Sequence, residues 1–174
     1  VSRLDLSTGT LSTPVLAAES ANPSFLAVRP TRGLLYAVNE IGTYEGKPAG
    51  SVSAFAINRE PGMLSAVNRQ SSMGGGPAHL TVDHGGRNVL VANYGGGSVA
   101  VLPIGSDGAL RPASTFVQHT GSSVNPDRQK QPYAHSVNVD ASDRFAYVTD
   151  LGIDKVMIYR LDAARGTLVA NDPP

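Results

Sequence analysis

An internal repeat of about 54 residues constrains the fold of this chain more than any other feature. Each copy contains a proline, a short apolar strand, a polar turn and a second apolar strand that ends near Asn or Asp. Pro23 and Pro77 are 54 residues apart, and Pro77 and Pro132 are 55 apart. The copies occupy 22–40, 76–94 and 131–150, with turns at 30–33, 84–87 and 141–144 and second strands at 34–40, 89–94 and 145–150. A long repeat of this kind is typical of solenoids and propellers, in which each copy is one structural unit.

A third strand follows in each copy, and a Gly-x-Leu motif comes after it. The third strands are expected at 51–57, 98–102 and 155–159. The motif lies at 62–64, 108–110 and 166–168, and a fourth short strand is expected beyond it. Short runs rich in β-branched and aromatic residues, bounded by Gly, Pro, Asn and Asp, are typical of strands. Each copy therefore predicts a four-stranded antiparallel unit.

The two ends of the chain read as parts of such units. At the N-terminus we expect a third strand at 4–6, the Gly-x-Leu motif at 9–11 and a fourth strand at 15–17. The C-terminus is expected to stop after a third strand and its turn. The predicted single domain then divides into the end of one blade, two blades and a last, incomplete blade. These parts are assigned to 1–20, 21–72, 73–118 and 119–174.

The second strands are apolar at successive residues, which indicates cover on both faces of the sheet. Blades packed around an axis supply that cover, whereas a β-sandwich would leave the repeat unexplained. The predicted fold is all-β, a partial β-propeller of about three four-stranded antiparallel blades plus part-blades at the ends. Three units cannot close a ring, so the chain is expected to belong to a longer protein. Alone, it is expected to associate through its open blade faces.

Composition excludes several classes of function. Lys plus Arg and Asp plus Glu both number 14, so no basic excess points to a nucleic-acid partner. No apolar run is long enough to span a membrane, and no signal peptide is visible. There is no Cys, which favours the cytoplasm. The glycine runs 74–76 and 95–97 lack the lysine of a phosphate loop and are read as turns. No metal and no cofactor are expected, because no His or acidic cluster has ligand spacing.

Several long motifs resemble those of one family, the 6-phosphogluconolactonase or lactonase family of seven-bladed propellers. These motifs lie at 22–28, 35–40, 92–99, 119–129, 134–137 and 150–156. The family usually has His where this chain has Tyr133, and about half of the family's length, including an Arg and a Glu of the site, is absent here. The resemblance implies that the intact protein, a monomer, hydrolyses 6-phosphogluconolactone to 6-phosphogluconate in the pentose phosphate route. The chain alone is expected to be inactive. A muconate-type lactone cyclase and a non-catalytic binding propeller are the alternatives.

Lactone hydrolysis needs a base for water and donors for the oxyanion. His135 is the first choice for the base, because it lies early in a first strand beside a long loop; core packing is the alternative. Glu40 ends a second strand and offers a carboxylate, or is a solvated turn residue. Arg128, in the loop after His119, has a guanidinium suited to carboxylate or phosphate, or is a surface residue.

A further set of polar residues is assigned to substrate binding. His79 is expected to occupy the same repeat position as His135, so that both face the axis. The others end second strands or lie in the long loop, and Asp150 has the alternative of capping a turn. The set comprises His79, Asn39, Asn93, Tyr94, Gln129, Asp150 and His119.

Overall fold

A computed structural model describes residues 1–29, 33–58, 60 and 62–173 of the chain. Three residues of the first predicted turn, 30–32, lie outside the described residues. No helix of the described chain is long and apolar enough to cross a lipid bilayer.

In the described residues, twelve strands form three separate four-stranded sheets, and every neighbouring pair of strands is antiparallel. The first sheet contains β1 (Leu26–Arg29), β2 (Leu34–Asn39), β3 (Ser51–Asn58) and β4 (Met63–Ser71). The second contains β5 (Pro77–Val82), β6 (Asn88–Asn93), β7 (Ser98–Pro103) and β8 (Thr115–Gln118). The third contains β9 (Ala134–Val139), β10 (Phe145–Asp150), β11 (Lys155–Asp162) and β12 (Thr167–Ala170). In each sheet the strands follow one another in chain order, as in the blade of a propeller.

The hydrophobic core lies between the sheets, in two layers. Alternate residues of β6 point to opposite faces: Val89 and Val91 pack against the first sheet, and Leu90 and Ala92 against the third. All six residues of β6 are buried for this reason. The continuous apolarity of this strand thus has the cause expected from the sequence, which is cover on both faces.

The sheets are arranged with their first strands next to one another. β5 contacts both β1 and β9, so the three first strands converge. The outer face of the third sheet remains open, and β10 alternates between buried and exposed residues as a result. Tyr147, Val156 and Val169 on that sheet are 37%, 53% and 63% exposed. The partial propeller predicted from the repeat is confirmed.

The ends of the chain differ from the prediction. The third sheet has its fourth strand, β12, which begins directly after Gly166, so the blade is complete in strands. The strands predicted at 4–6 and 15–17 do not form. Residues 1–15 instead pair loosely with themselves, through a bridge between Leu4 and Leu11. The physical reason is that a two-stranded ribbon with no third strand and no packed face is marginally stable.

Candidate active site

His79 lies where the first strands of the three sheets converge. Its ring packs on Phe25 of the first sheet, with the ring centroids 4.1 Å apart. Its Nδ1 accepts a hydrogen bond from the backbone N–H of Val137 in the third sheet, at 3.3 Å. Such an N–H is available because β9 is an edge strand of its sheet, with β10 on one side alone. His79, which belongs to the second sheet, therefore contacts both other sheets.

The protonation of His79 is disfavoured by its surroundings. Burial lowers the pKa of the His79 imidazole, and the nearby His135 lowers it further by charge repulsion. The ring is half-buried. His79 is consequently a neutral imidazole at pH 7.

His135 lies in a β-bulge and not at the repeat position of His79. Leu80 pairs with Val91 in the second sheet, and Val137 pairs with Val148 at the same place in the third sheet. Leu80 and Val137 are therefore equivalent, and so are the residues that precede them, His79 and Ser136. β5 and β9 begin with the same shift in register, in which Ala78 and His135 are the extra residues of two equivalent bulges. The predicted identity of position is therefore wrong by one residue, although the charge of His135 still acts on His79.

Two tyrosines stand beside His135. The rings of Tyr94 and Tyr133 stack with centroids 4.9 Å apart, and His135 meets Tyr94 edge-on at 5.5 Å. His135 itself is exposed, and it opens onto a groove of about 430 Å³. The groove is lined by His135, Thr149, Asp150, Leu151, Asp154, Lys155 and Val156. An exposed imidazole at the edge of a groove can reach both water and a bound ester.

Asn39, Asn93 and Asp150 are fully or almost fully buried and perform one structural task three times. Each ends the second strand of its sheet and binds the chain segment that enters that sheet. Asn39 Nδ2 donates to Ser20 Oγ and Ala21 O at 2.8 and 2.7 Å. Asn93 Nδ2 donates to Ser72 O at 2.9 Å. We call this repeated position the blade clamp.

In the third sheet the blade clamp includes a buried Asp–His–Tyr network. Asp150 Oδ2 and His119 Nδ1 are 2.6 Å apart, and His119 Nε2 and Tyr159 Oη are 2.9 Å apart. Asp150 Oδ1 accepts the backbone N–H groups of Tyr133, Gly152 and Ile153 at 2.7, 2.9 and 3.3 Å. The side chains of Asp150 and His119 are 0% and 1% exposed, so they bind protein and not solvent.

The clamp shifts the pKa of Asp150. Burial raises the pKa of this carboxyl, but the hydrogen bonds from His119 and from the Tyr133 N–H outweigh burial, so the pKa lies below the ordinary value. Asp150 is therefore a carboxylate at neutral pH. Asp150 is buried, and so are Asn39, Asn93 and His119. A substrate site is therefore expected to consist of the residues that face solvent.

In the blade clamp of the second sheet, a buried acceptor atom has no hydrogen-bond donor among the described residues. This predicts that a donor introduced there stabilises the protein. Asn39 Oδ1 accepts from Ser51 and Ser53 at 3.1 and 2.7 Å, whereas the buried Asn93 Oδ1 has no partner in the described chain. By register, Ala100 stands where the first sheet has Ser53. We expect Ala100→Ser to raise the free energy of unfolding by about 1 kcal/mol, because its hydroxyl supplies the missing donor.

Chemical denaturation of the full-length protein measures this effect. Ala92→Ser is the matched control, since it places the same hydroxyl in the apolar core between the second and third sheets and should destabilise. An equal decrease in the free energy of unfolding of the Ala100→Ser and Ala92→Ser variants would contradict the prediction.

The three other predicted residues lie near the surface. Glu40 is half-exposed, and its backbone pairs with Asn22. Arg128 is exposed, in a turn where its N–H donates to Asn125 Oδ1 at 3.1 Å. Gln129 holds the long loop to the third sheet, because its Nε2 donates to Leu151 O at 2.8 Å. The structure thus brings His79, His135 and Tyr94 together, and places Glu40 and Arg128 in separate contacts.

Two contributors to the site were not assigned from the sequence. Tyr133 stacks on Tyr94, and the Val137 N–H fixes the ring of His79. The position of Tyr133 before Ala134 and His135 is a signal that could have suggested it. The backbone donor could not have been found, because it depends on how two sheets meet.

Comparison with known proteins places this geometry among lactonases. Residues 1–173 match the family model described as Lactonase, 7-bladed beta-propeller. The chain is 34% identical over 158 residues to a 6-phosphogluconolactonase of Bacillus subtilis (strain 168), covering 91% of this chain and 44% of that protein. A 6-phosphogluconolactonase of Formosa agariphila is 28% identical over 141 residues, covering 81% of this chain and 39% of that protein.

Solved structures show the same architecture. A putative 6-phosphogluconolactonase from Bacteroides fragilis has a TM-score of 0.89 at 35% identity, covering 99% of this chain and 48% of that one. A periplasmic gluconolactonase from Pseudomonas aeruginosa has a TM-score of 0.88 at 33% identity, covering 99% and 49%. The chain spans less than half the length of these curated relatives and about half of these structures.

Proposed function

The chain belongs to the lactonase family of seven-bladed β-propellers, and from this premise we propose that the whole protein hydrolyses a sugar lactone, most specifically 6-phosphogluconolactone to 6-phosphogluconate. The observation that carries the proposal is an exposed histidine, His135, at the groove beside the converging first strands. The names of the relatives from Bacillus subtilis and Formosa agariphila support the substrate class.

The proposed reaction adds water across one ester bond. His135 takes a proton from water as the water oxygen attacks the carbonyl carbon of the lactone. The resulting oxyanion collapses, the bond between the carbonyl carbon and the ring oxygen breaks, and the protonated His135 returns the proton to the ring oxygen. The product is an open-chain hydroxy acid. This requires no cofactor.

The two other residues assigned to catalysis act on the polar groups of the substrate. Arg128 is an exposed cation on the long loop before β9, and a guanidinium binds a phosphate through two parallel hydrogen bonds. Glu40 offers a half-exposed carboxylate that can accept hydrogen bonds from sugar hydroxyls. The cytoplasmic location expected from the missing cysteines stays a prediction, because one similar structure is periplasmic.

The experiment that tests this function follows lactone opening by the full-length protein. The substrates are 6-phosphogluconolactone, gluconolactone and muconolactone. We expect fastest turnover of the phosphorylated lactone, and Arg128→Ala should raise its KM about tenfold, the effect of losing a charged hydrogen bond. Arg165→Ala is the control, since Arg165 is 81% exposed and paired with Asp162 on another turn.

Each other outcome selects a different function. Turnover of gluconolactone alone would remove the phosphate from the proposal. Preference for muconolactone would favour the cyclase alternative. No turnover of any lactone would favour a non-catalytic binding propeller.

A further inference from the structure

We propose that His79 is a catalytic residue that donates a hydrogen bond from Nε2–H to the oxyanion formed when the lactone opens, a role that rests on the proposed function. The inference follows from its hydrogen bond to Val137, its contrast with the other histidines and its place beside His135.

The hydrogen bond to Val137 determines which nitrogen of His79 carries the proton. The backbone N–H of Val137 is a donor, so Nδ1 of His79 must present its lone pair. A neutral imidazole with an accepting Nδ1 carries its proton on Nε2. In the described chain Nε2 of His79 has no hydrogen-bond partner, so this N–H is available to a ligand.

The other histidines show that this arrangement is specific. His84 Nδ1 lies 2.8 Å from Asp143, and His119 Nδ1 lies 2.6 Å from Asp150. A carboxylate oxygen is an acceptor, so Nδ1 is the donor in both of these rings. His79 meets a backbone N–H and a phenyl ring instead, so protonating Nδ1 would break its one hydrogen bond and charge a half-buried ring.

The position of His79 suits a donor that acts together with His135. Val137, whose N–H binds His79, is two residues beyond His135 on β9, and the charge of His135 acts on the imidazole of His79. Their surroundings differ, because His135 is exposed and His79 is half-buried against Phe25. Two like groups in unlike surroundings can divide the work of base and electrophile.

The division of labour balances in protons. His135 removes one proton from the attacking water and later delivers it to the ring oxygen that leaves. His79 keeps its Nε2 proton throughout and only shortens its hydrogen bond as negative charge builds on the carbonyl oxygen. A neutral donor held in place by the protein needs no reorganisation at that moment, which is how an oxyanion hole works.

Three variants of the full-length protein test this role. His79→Gln places an amide N–H near the position of Nε2 and should keep kcat within about tenfold of the native value. His79→Asn keeps an acceptor for the Val137 N–H but loses the donor. His79→Phe keeps the ring on Phe25 and loses both. We expect kcat to fall by about 10²–10³-fold in the Asn and Phe variants, with little change in KM.

Two further measurements distinguish the possible failures. The ¹⁵N chemical shifts of His79 in selectively labelled protein should show a neutral ring protonated on Nε2, and a proton on Nδ1 would overturn the proposal. Native turnover that survives His79→Phe would overturn this role and leave the proposed function intact. A native protein that opens no lactone would overturn both.

Discussion

Replacing His135 by alanine in the full-length protein should lower kcat for lactone opening by about 10²–10⁴-fold, the usual effect of losing a general base. The imidazole is exposed at a groove and meets Tyr94 with its edge, so its removal leaves the core intact. We therefore expect an unchanged melting temperature and little change in KM. Imidazole added to the buffer should restore part of the activity, because alanine leaves the space that the ring had filled.

His84→Ala is the matched control for this variant. His84 is an exposed histidine in the turn after β5, whereas His135 lies near the start of β9, at the opposite end of a first strand. Its loss should leave kcat unchanged. Equal activity of the His135→Ala and native proteins would remove His135 from the mechanism, and a fall in melting temperature would reassign it to packing.

Replacing Asp150 by alanine should lower the free energy of unfolding by about 3–5 kcal/mol, because several buried donors lose the acceptor that they share. The substitution leaves His119 and three backbone N–H groups without their acceptor in a region that water does not reach. Denaturant unfolding of the full-length protein measures the loss.

Two variants separate the charge of Asp150 from its shape. Asp150→Asn keeps an acceptor for the backbone N–H groups and should lose less stability. Asp127→Ala, on an exposed turn, should change the free energy of unfolding by no more than about 0.5 kcal/mol. A loss from Asp150→Ala as small as that from Asp127→Ala would contradict the assignment of a clamp.

The stability of the clamp should also depend on pH. The folded pKa of Asp150 is lowered, so its contribution is present above the unfolded pKa of about 3.9 and is lost as the pH falls through the folded pKa. The difference between native and Asp150→Asn protein should be constant near neutral pH and shrink below about pH 4. A difference that stays constant down to pH 2 would show that the charge does not matter.

Local sequence patterns were sufficient to predict most of the strands. The second strands predicted at 34–40, 89–94 and 145–150 match β2, β6 and β10 within one residue at each end. These runs are apolar or β-branched and bounded by turn residues, so their conformation follows from neighbours in the chain. The strands predicted at 4–6 and 15–17 do not form, although their sequences are strand-like. Their conformation does not follow from neighbours in the chain alone, because a strand also requires a partner.

The candidate site depended on contacts that no local pattern reports. Asn39, Asn93 and Asp150 end equivalent strands. From the sequence alone, polar residues at such positions cannot be distinguished from a set of substrate-binding residues. Their hydrogen bonds to Ser20, Ser72 and His119 decide that they hold the sheets. The sequence likewise shows two histidines near two strand starts, and the strand registers determine that His79 is equivalent to Ser136 and His135 to Ala78.

The sequence by itself determined the repeat, the four-stranded units and the stacking of units face to face, because hydrophobic periodicity and turn residues act over a few positions. Only the tertiary structure decided which polar residues face solvent and which nitrogen of His79 carries the proton. Those properties depend on burial and on donors from another sheet, such as the Val137 N–H on His79. The chemistry of a side chain is set by its neighbours in space, and the Val137 N–H that binds His79 comes from a strand 58 residues away.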